Sequence, residues 1–282
     1  MSKKQKEPSA VRVVKNLLAA SELLFPPLAT RLAYYAFFTP LRYPTPEREK
    51  NVLASASRIS LEVNDQQIEA YTWGEGEKTV LLMHGWSGRA TQFAGLIHEL
   101  TKHGCRVIAA DAPGHGRSVG KSSNVFQFAD TIHALIQHFG PVDTAIGHSL
   151  GGTAVLLAAK RGLPISRAVL IATPAVGDDI LEVSRLKMGA SKKTMISLKN
   201  RIERVFKGSF DSVTASAVAR DVHTLPTLLV YDDSDDDAPV KHGELLHKTM
   251  INSLFVVSSG QGHTRVLRDV GNIEKVTAFV MT

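Results

Sequence analysis

A serine hydroxyl becomes a useful nucleophile only when a base takes its proton as it attacks and a third group orients that base. Ser149 stands in Gly147-His148-Ser149-Leu150-Gly151-Gly152. That spacing fits a nucleophile elbow, a sharp strand-to-helix turn that lifts one hydroxyl out at the end of a sheet. Glycines flank the serine because such a turn strains the backbone and leaves no room for nearby side chains. A glycine-rich turn whose serine merely caps a helix has the same composition, so the partners must decide.

The chain has 11 histidines, and only position can select a base among them. His263 follows Gly260-Gln261-Gly262, directly after the β-leaning run Leu254-Phe255-Val256-Val257. A base belongs on such a late sheet-end loop when the chain order is Ser, acid, His. His148, beside the serine, reads as a packing or hydrogen-bonding support, while His84 and His115 sit in glycine-containing loops and read as structural. The acid should follow Leu228-Leu229-Val230-Tyr231, where Asp232, Asp233, Asp235, Asp236 and Asp237 compete; composition alone does not choose. An oxyanion on the attacked carbonyl needs two donors. The backbone N–H of Leu150 is one, and that of Trp86, in His84-Gly85-Trp86-Ser87-Gly88, is the other.

The elements that must hold these groups read as a strand, loop and helix rhythm. Two alternating strands, 58–63 and 67–73, are joined by Asn64-Asp65 as a hairpin. Strands at 79–83, 106–110, 142–146, 167–172, 226–231 and 253–258 then alternate with helices near 89–103, 124–139, 150–162, 240–250 and 271–280. The pattern predicts an α/β fold, a mostly parallel central sheet with helices on both faces and reactive groups at the carboxyl ends of the strands. Residues 175–222 break the rhythm: helical in composition, basic and without a convincing strand, they read as a small helical lid insertion.

Residues 1–50 form a helical extension and linker ahead of a domain spanning 51–282. Residues 1–8 are polar and basic, a composition expected to be disordered. Helical spacing from Val11 to Phe25 is stopped by Pro26-Pro27, a second apolar run covers 28–38, and Pro44-Thr45-Pro46 opens a linker through Lys50. This pair of helices either packs on the protein's own core or lies on a membrane surface, given the lysines upstream.

With 44% hydrophobic and 21% charged residues, the chain can build one large core. The lone Cys105 excludes an intramolecular disulfide, fits a reducing compartment and leads into an apolar run, as a buried inert thiol does. With no secretory pattern and no spanning stretch, a cytoplasmic location is expected. The net charge of +6 gathers in the first residues and in 187–207, and no nucleic-acid motif accompanies it.

Four motifs in order, Leu82-Met83-His84-Gly85-Trp86, Asp111-Ala112-Pro113-Gly114-His115-Gly116-Arg117-Ser118, Gly147 to Gly152 and Gly262-His263, resemble those of the α/β-hydrolase superfamily, in particular its single-domain bacterial serine hydrolases, over about residues 57–282. The resemblance implies Asp235 as the acid, because it precedes Pro239 by four residues; Asp236, Asp233 and Asp232 rank behind it, and Asp178 or Asp179 would be an unusual placement. Asp232 stands where a glycine is common. The resemblance makes Asp111 and Ser118 loop-stabilising, and Ser149 at the elbow argues against dehalogenases and epoxide hydrolases, which carry Asp there, and dienelactone hydrolases, which carry Cys. What it implies is a serine esterase acting on a small-molecule ester or acyl substrate through Ser149, Asp235 and His263, with oxyanion donors Trp86 and Leu150 and neither metal nor organic cofactor. The same triad serves thioesterases, amidases, acyltransferases and carbon–carbon bond hydrolases, and a silent ligand-binding protein is the reading from another class.

Overall fold

The computed structural model describes residues 9–282, with side chains from Arg12 onward; the expectation of disorder for residues 1–8 lies outside these. Two helices open the chain, α1 (Ser9–Leu24) and α2 (Pro26–Phe38), separated by Phe25, with Pro26 in the first turn of α2, where its missing N–H costs nothing. The expected linker is instead partly helical. α3 (Glu47–Ala54) begins after Pro46 and carries two glutamates in its first turn. Glu49 is buried, accepting from Thr91 Oγ1 at 2.9 Å and lying 3.8 Å from Arg89 Nε, and the Val52 carbonyl accepts from Trp73 Nε1 at 2.7 Å. Those tertiary bonds fix a segment whose local composition signals only a turn.

Next come β1 (Ser57–Val63), β2 (Gln66–Trp73), β3 (Thr79–Met83), α4 (Ala94–Lys102), β4 (Arg106–Ala110), α5 (Val125–Phe139) and β5 (Val142–His148). Then follow α6 (Leu150–Lys160), β6 (Ile165–Ile171), α7 (Gly177–Met188), α8 (Lys192–Phe206), α9 (Ala215–Ala219) and β7 (Thr227–Asp232). The chain finishes with α10 (Val240–Thr249), β8 (Ser253–Ser258), α11 (Gly262–Arg265) and α12 (Val270–Met281). Asn64 and Asp65 both take positive φ, 49° and 59°, as the tight hairpin between β1 and β2 demands.

The chain divides into two compact units, one of residues up to 39 with 177–212, the other of 40–176 with 213–282. In the larger, the eight strands form one sheet in the order β1-β2-β4-β3-β5-β6-β7-β8. β1 and β2 are antiparallel to each other, β2 is antiparallel to β4, and every later pairing is parallel. Strands β3 to β7 are apolar runs buried along almost their whole length, as a sheet covered on both faces requires; α5 packs with α6, and α4 with α12, as the covering layers. The chain runs from β3 to β4 on one side and returns to β5 on the other, so the sheet's order reverses at β3, the place where open α/β sheets generally carry their sites beyond the carboxyl ends of the strands.

In the smaller unit, α1, α2, α7 and α8 bury Leu18, Ala29, Ala33, Leu181, Met195, Leu198 and Ile202 together. The segment 175–222 contains helices and no strand.

Candidate active site

Register sets the site. Met83 pairs with both Ala110 and Gly147, His148 with Ile171, and Asp232 with Ser258. The residues that follow β3, β4, β5, β7 and β8 therefore leave the sheet at one end, and the functional side chains ride on those exits.

Ser149 is the turn between β5 and α6. Its φ of 53° and ψ of −121° are sparsely populated for a residue with a Cβ, at a cost of about 1–3 kcal/mol. The backbone is held there by its N–H, which donates to the Ile171 carbonyl at 2.9 Å, and by its own carbonyl, which accepts from Gly152 N–H at 3.0 Å. The hydroxyl makes no bond to the α6 N-terminus, so the serine is not a helix cap. Gly151 is obligatory on contact grounds: a Cβ there would clash with the Met83 and His84 carbonyls.

Ser149 Oγ faces His263 Nε2 at 3.0 Å, and His263 Nδ1 lies 2.8 Å from Asp235 Oδ2. The Asp235 carboxylate is buried, and its other oxygen accepts from the Asp237 and Ala238 amides at 2.8 and 3.0 Å. Burial alone would raise its pKa; the bond and charge of the His263 ring, with those two amides, outweigh it and hold the carboxyl below its ordinary value. An ionised Asp235 requires the proton on His263 Nδ1, which leaves Nε2 as an acceptor facing the serine.

The other aspartates separate cleanly. Asp233 and Asp236 are exposed, and Asp178 and Asp179 belong to the first turn of α7 in the smaller unit. Asp232 is fully buried and does something else. Its Oδ1 accepts from Ser234 N–H, Ser234 Oγ, Gln261 N–H and Gly262 N–H at 2.6–3.1 Å, and its Oδ2 accepts from Ser258 Oγ at 2.8 Å. Burial pushes its pKa up, but these donors hold it far below the usual carboxylate range. Asp232 thus ties the loop carrying Asp235 to the loop carrying His263. In the sequence it reads as a weaker candidate for the acid and as a departure from the commoner glycine; its role in joining the loops is not announced there.

Gly85 brings the turn after β3 against the serine: a Cβ on Gly85 would stand 2.9 Å from Ser149 Cβ. Trp86 N–H follows it, and Leu150 N–H is the first amide of α6, at the positive end of the helix. No backbone hydrogen bond from either amide is present among the described residues. His84 and His148 brace this turn and the backbone at His263. His84 Nδ1–H donates to the Gly85 carbonyl at 2.7 Å, and its Nε2 accepts from Ala112 N–H at 3.0 Å. His148 Nε2–H donates to the His263 carbonyl at 2.8 Å, and its Nδ1 accepts from Gln92 Nε2 at 3.1 Å. Burial pushes His84 down to about 4 and, with repulsion from His263, His148 to about 3, so both stay neutral and keep these tautomers.

The loop after β4 is built the same way. Asp111 accepts from Ala90 N–H, Arg117 N–H and Tyr71 Oη at 2.8–2.9 Å, and Ser118 Oγ donates to the Asp111 carbonyl while accepting from Glu69 N–H. Arg42 completes it with its guanidinium, donating to the carbonyls of Gly114, Gly116, Ser118 and Gly120. Nothing near Arg42 in the sequence announces this role, since all four partners lie more than seventy residues away.

The model of the alpha/beta hydrolase family matches residues 80–268, a stretch holding all five groups and two thirds of the chain. The chain belongs to the alpha/beta hydrolase family. This hydrolase is 36% identical over 104 residues to a non-heme haloperoxidase of Rhodococcus erythropolis, a match covering 35% of this chain and 38% of the relative. It is 29% identical over 136 residues to a bifunctional esterase/perhydrolase of Acinetobacter calcoaceticus, covering 46% and 49%. The hydrolase thus spans less than half the length of the curated relatives it matches. Among solved structures, the Pyrococcus furiosus esterase Pf2001 shares its fold with a TM-score of 0.66 at 16% identity, over 86% of this chain and 96% of that one. Arg42 lies outside the four motifs, and Asp232, a weaker acid candidate in the sequence, joins the loops of Asp235 and His263 instead.

Proposed function

We propose that this hydrolase cleaves carboxylic esters through an acyl-enzyme on Ser149. One observation carries the reading: a continuous hydrogen-bonded line from Ser149 Oγ through His263 to the buried Asp235. Ser149 Oγ attacks the acyl carbonyl carbon while its proton passes to His263 Nε2. The carbonyl π pair moves onto oxygen, and the oxyanion is met by the Trp86 and Leu150 amides. Collapse expels the alkoxide, which leaves with the proton from His263 Nε2. Water then attacks the acyl-serine with His263 again as base, releasing the acid and restoring the serine. Asp235 holds the imidazole tautomer and stabilises its cation throughout. The esterase activity in the name of the Acinetobacter relative supports an ester over the other acyl derivatives.

The test is hydrolysis of a p-nitrophenyl ester series from acetate to palmitate by the wild type and Ser149→Ala. The reading expects turnover that peaks at one chain length and falls in the variant by a factor on the order of 10⁶ in kcat. No turnover by folded wild type, or equal turnover by both, overturns it.

A further inference from the structure

We infer that the smaller unit is a docking surface for an anionic lipid bilayer, engaged through the α1–α2 tip and the start of α8. One face of α1 is committed to the unit's own core through Leu18, which packs with Ala29, Ala33, Leu181 and Leu198. Another face is not. Val13, Leu17, Ala20 and Leu24 recur at spacings of four, three and four and are all exposed, which makes them one helical stripe. The stripe runs into the turn to α2, where Leu23, Leu24 and Phe25 are 85%, 80% and 60% exposed. A soluble surface scatters its exposed apolar side chains; it does not gather the largest at one tip continuous with a stripe.

Charge decides the occupant. The described residues of this unit hold eleven Lys and Arg against six Asp and Glu, a net of +5 where the whole chain carries +6. Some of that charge is fixed beside the tip: Glu22 Oε1 accepts Ser191 N–H at 2.7 Å, which pins the α7–α8 turn one residue from Leu23. The next two residues, Lys192 and Lys193, are exposed. Bulky aliphatic and aromatic side chains rimmed by lysines match the acyl and headgroup layers of an anionic leaflet. A second copy of this chain would set like charge against like across the same face. No helix among the described residues is long and apolar enough to cross a membrane, so the contact is interfacial. The inference is independent of the reaction at Ser149.

The experiment is co-sedimentation of the full chain with phosphatidylcholine vesicles, with and without about a third phosphatidylglycerol, at low and high salt. The wild type is expected to partition onto the anionic vesicles and to release in salt. Leu23→Ser/Leu24→Ser/Phe25→Ser should weaken partitioning about tenfold or more, and Lys192→Glu/Lys193→Glu should weaken it and flatten its salt dependence. Leu24→Trp, which keeps the tip apolar, should gain fluorescence quenching by brominated lipid above the wild-type background. Absence of wild-type partitioning, equal partitioning by the variants, or an unquenched Leu24→Trp overturns the proposal. A lipid-indifferent wild-type dimer that the triple serine variant disperses also overturns it, assigning the face to a second copy.

Discussion

Two aspartates three residues apart do opposite jobs because their surroundings differ. Asp235 turns one oxygen to an imidazole and the other to two amides, whereas Asp232 spends one oxygen on loop donors and the other on the Ser258 hydroxyl at the end of β8. Removing Asp232 leaves the partly buried Gln261 and Gly262 amides without their acceptor, each at a cost of up to about 1–3 kcal/mol. Asp232→Ala should therefore lower the melting temperature and, by letting His263 drift, reduce kcat more than KM. Asp235→Asn should instead lower the melting temperature less than Asp232→Ala does and cut kcat by about 10⁴, since the amide favours the wrong tautomer. Thermal melts and ester kinetics on the two variants separate the roles; equal stability losses, or a larger kcat loss in Asp232→Ala, would contradict this division.

At the scale of elements, most of the architecture was legible in the chain. β1 and β2 announce themselves by alternation, and the later strands by short apolar runs between helix-forming segments. The elbow was legible too, because its glycines are demanded by contact, as Gly151 shows against the Met83 and His84 carbonyls. Of the five aspartates from Asp232 to Asp237, only the spacing to Pro239 pointed to Asp235. What stayed hidden was whatever depends on distant partners. α3 forms where Pro44-Thr45-Pro46 suggests a linker, because burial of Glu49 and the bond from Trp73 to Val52 override the local signal. Arg42 is hidden for the same reason. Its planar fork reaches four carbonyls of the loop after β4, an arrangement a lysine's single ammonium cannot copy. Arg42→Lys should thus resemble Arg42→Ala, each losing about 1–2 kcal/mol because the guanidinium is partly solvated. Urea unfolding measures this, and full stability in Arg42→Lys would show that charge alone suffices.

The whole molecule carries a pH dependence set by three buried imidazoles that never need to ionise. His84 is pushed down to about 4, and His115 and His148 to about 3, chiefly because burial penalises the cation, with His84 further opposing His115 and His263 opposing His148. An unfolded histidine titrates near 6.5, so below that pH the unfolded chain binds protons that the folded chain refuses. Stability is therefore fully present above about pH 6.5 and falls as the pH drops toward 4, by at most about 1.4 kcal/mol per pH unit for each histidine. Asp232 and Asp235, held low in the fold, contribute stability that is lost only at still lower pH, once unfolded carboxylates protonate near 3.9. Denaturant midpoints should accordingly be flat from pH 7 to 8 and descend from pH 6 to 5. His115 offers the sharpest check. Its Nδ1–H donates to the Pro113 carbonyl while its Nε2 is buried without a partner, and its ring packs on His84, Trp86 and Phe128. His115→Phe keeps that packing and removes one refused proton, so its pH slope between 5 and 6 should fall by about a third, one of three equal contributions, whatever its stability at pH 8. A slope identical to the wild type would mean that His115 takes up its proton in the folded state, through an opening of the loop after β4.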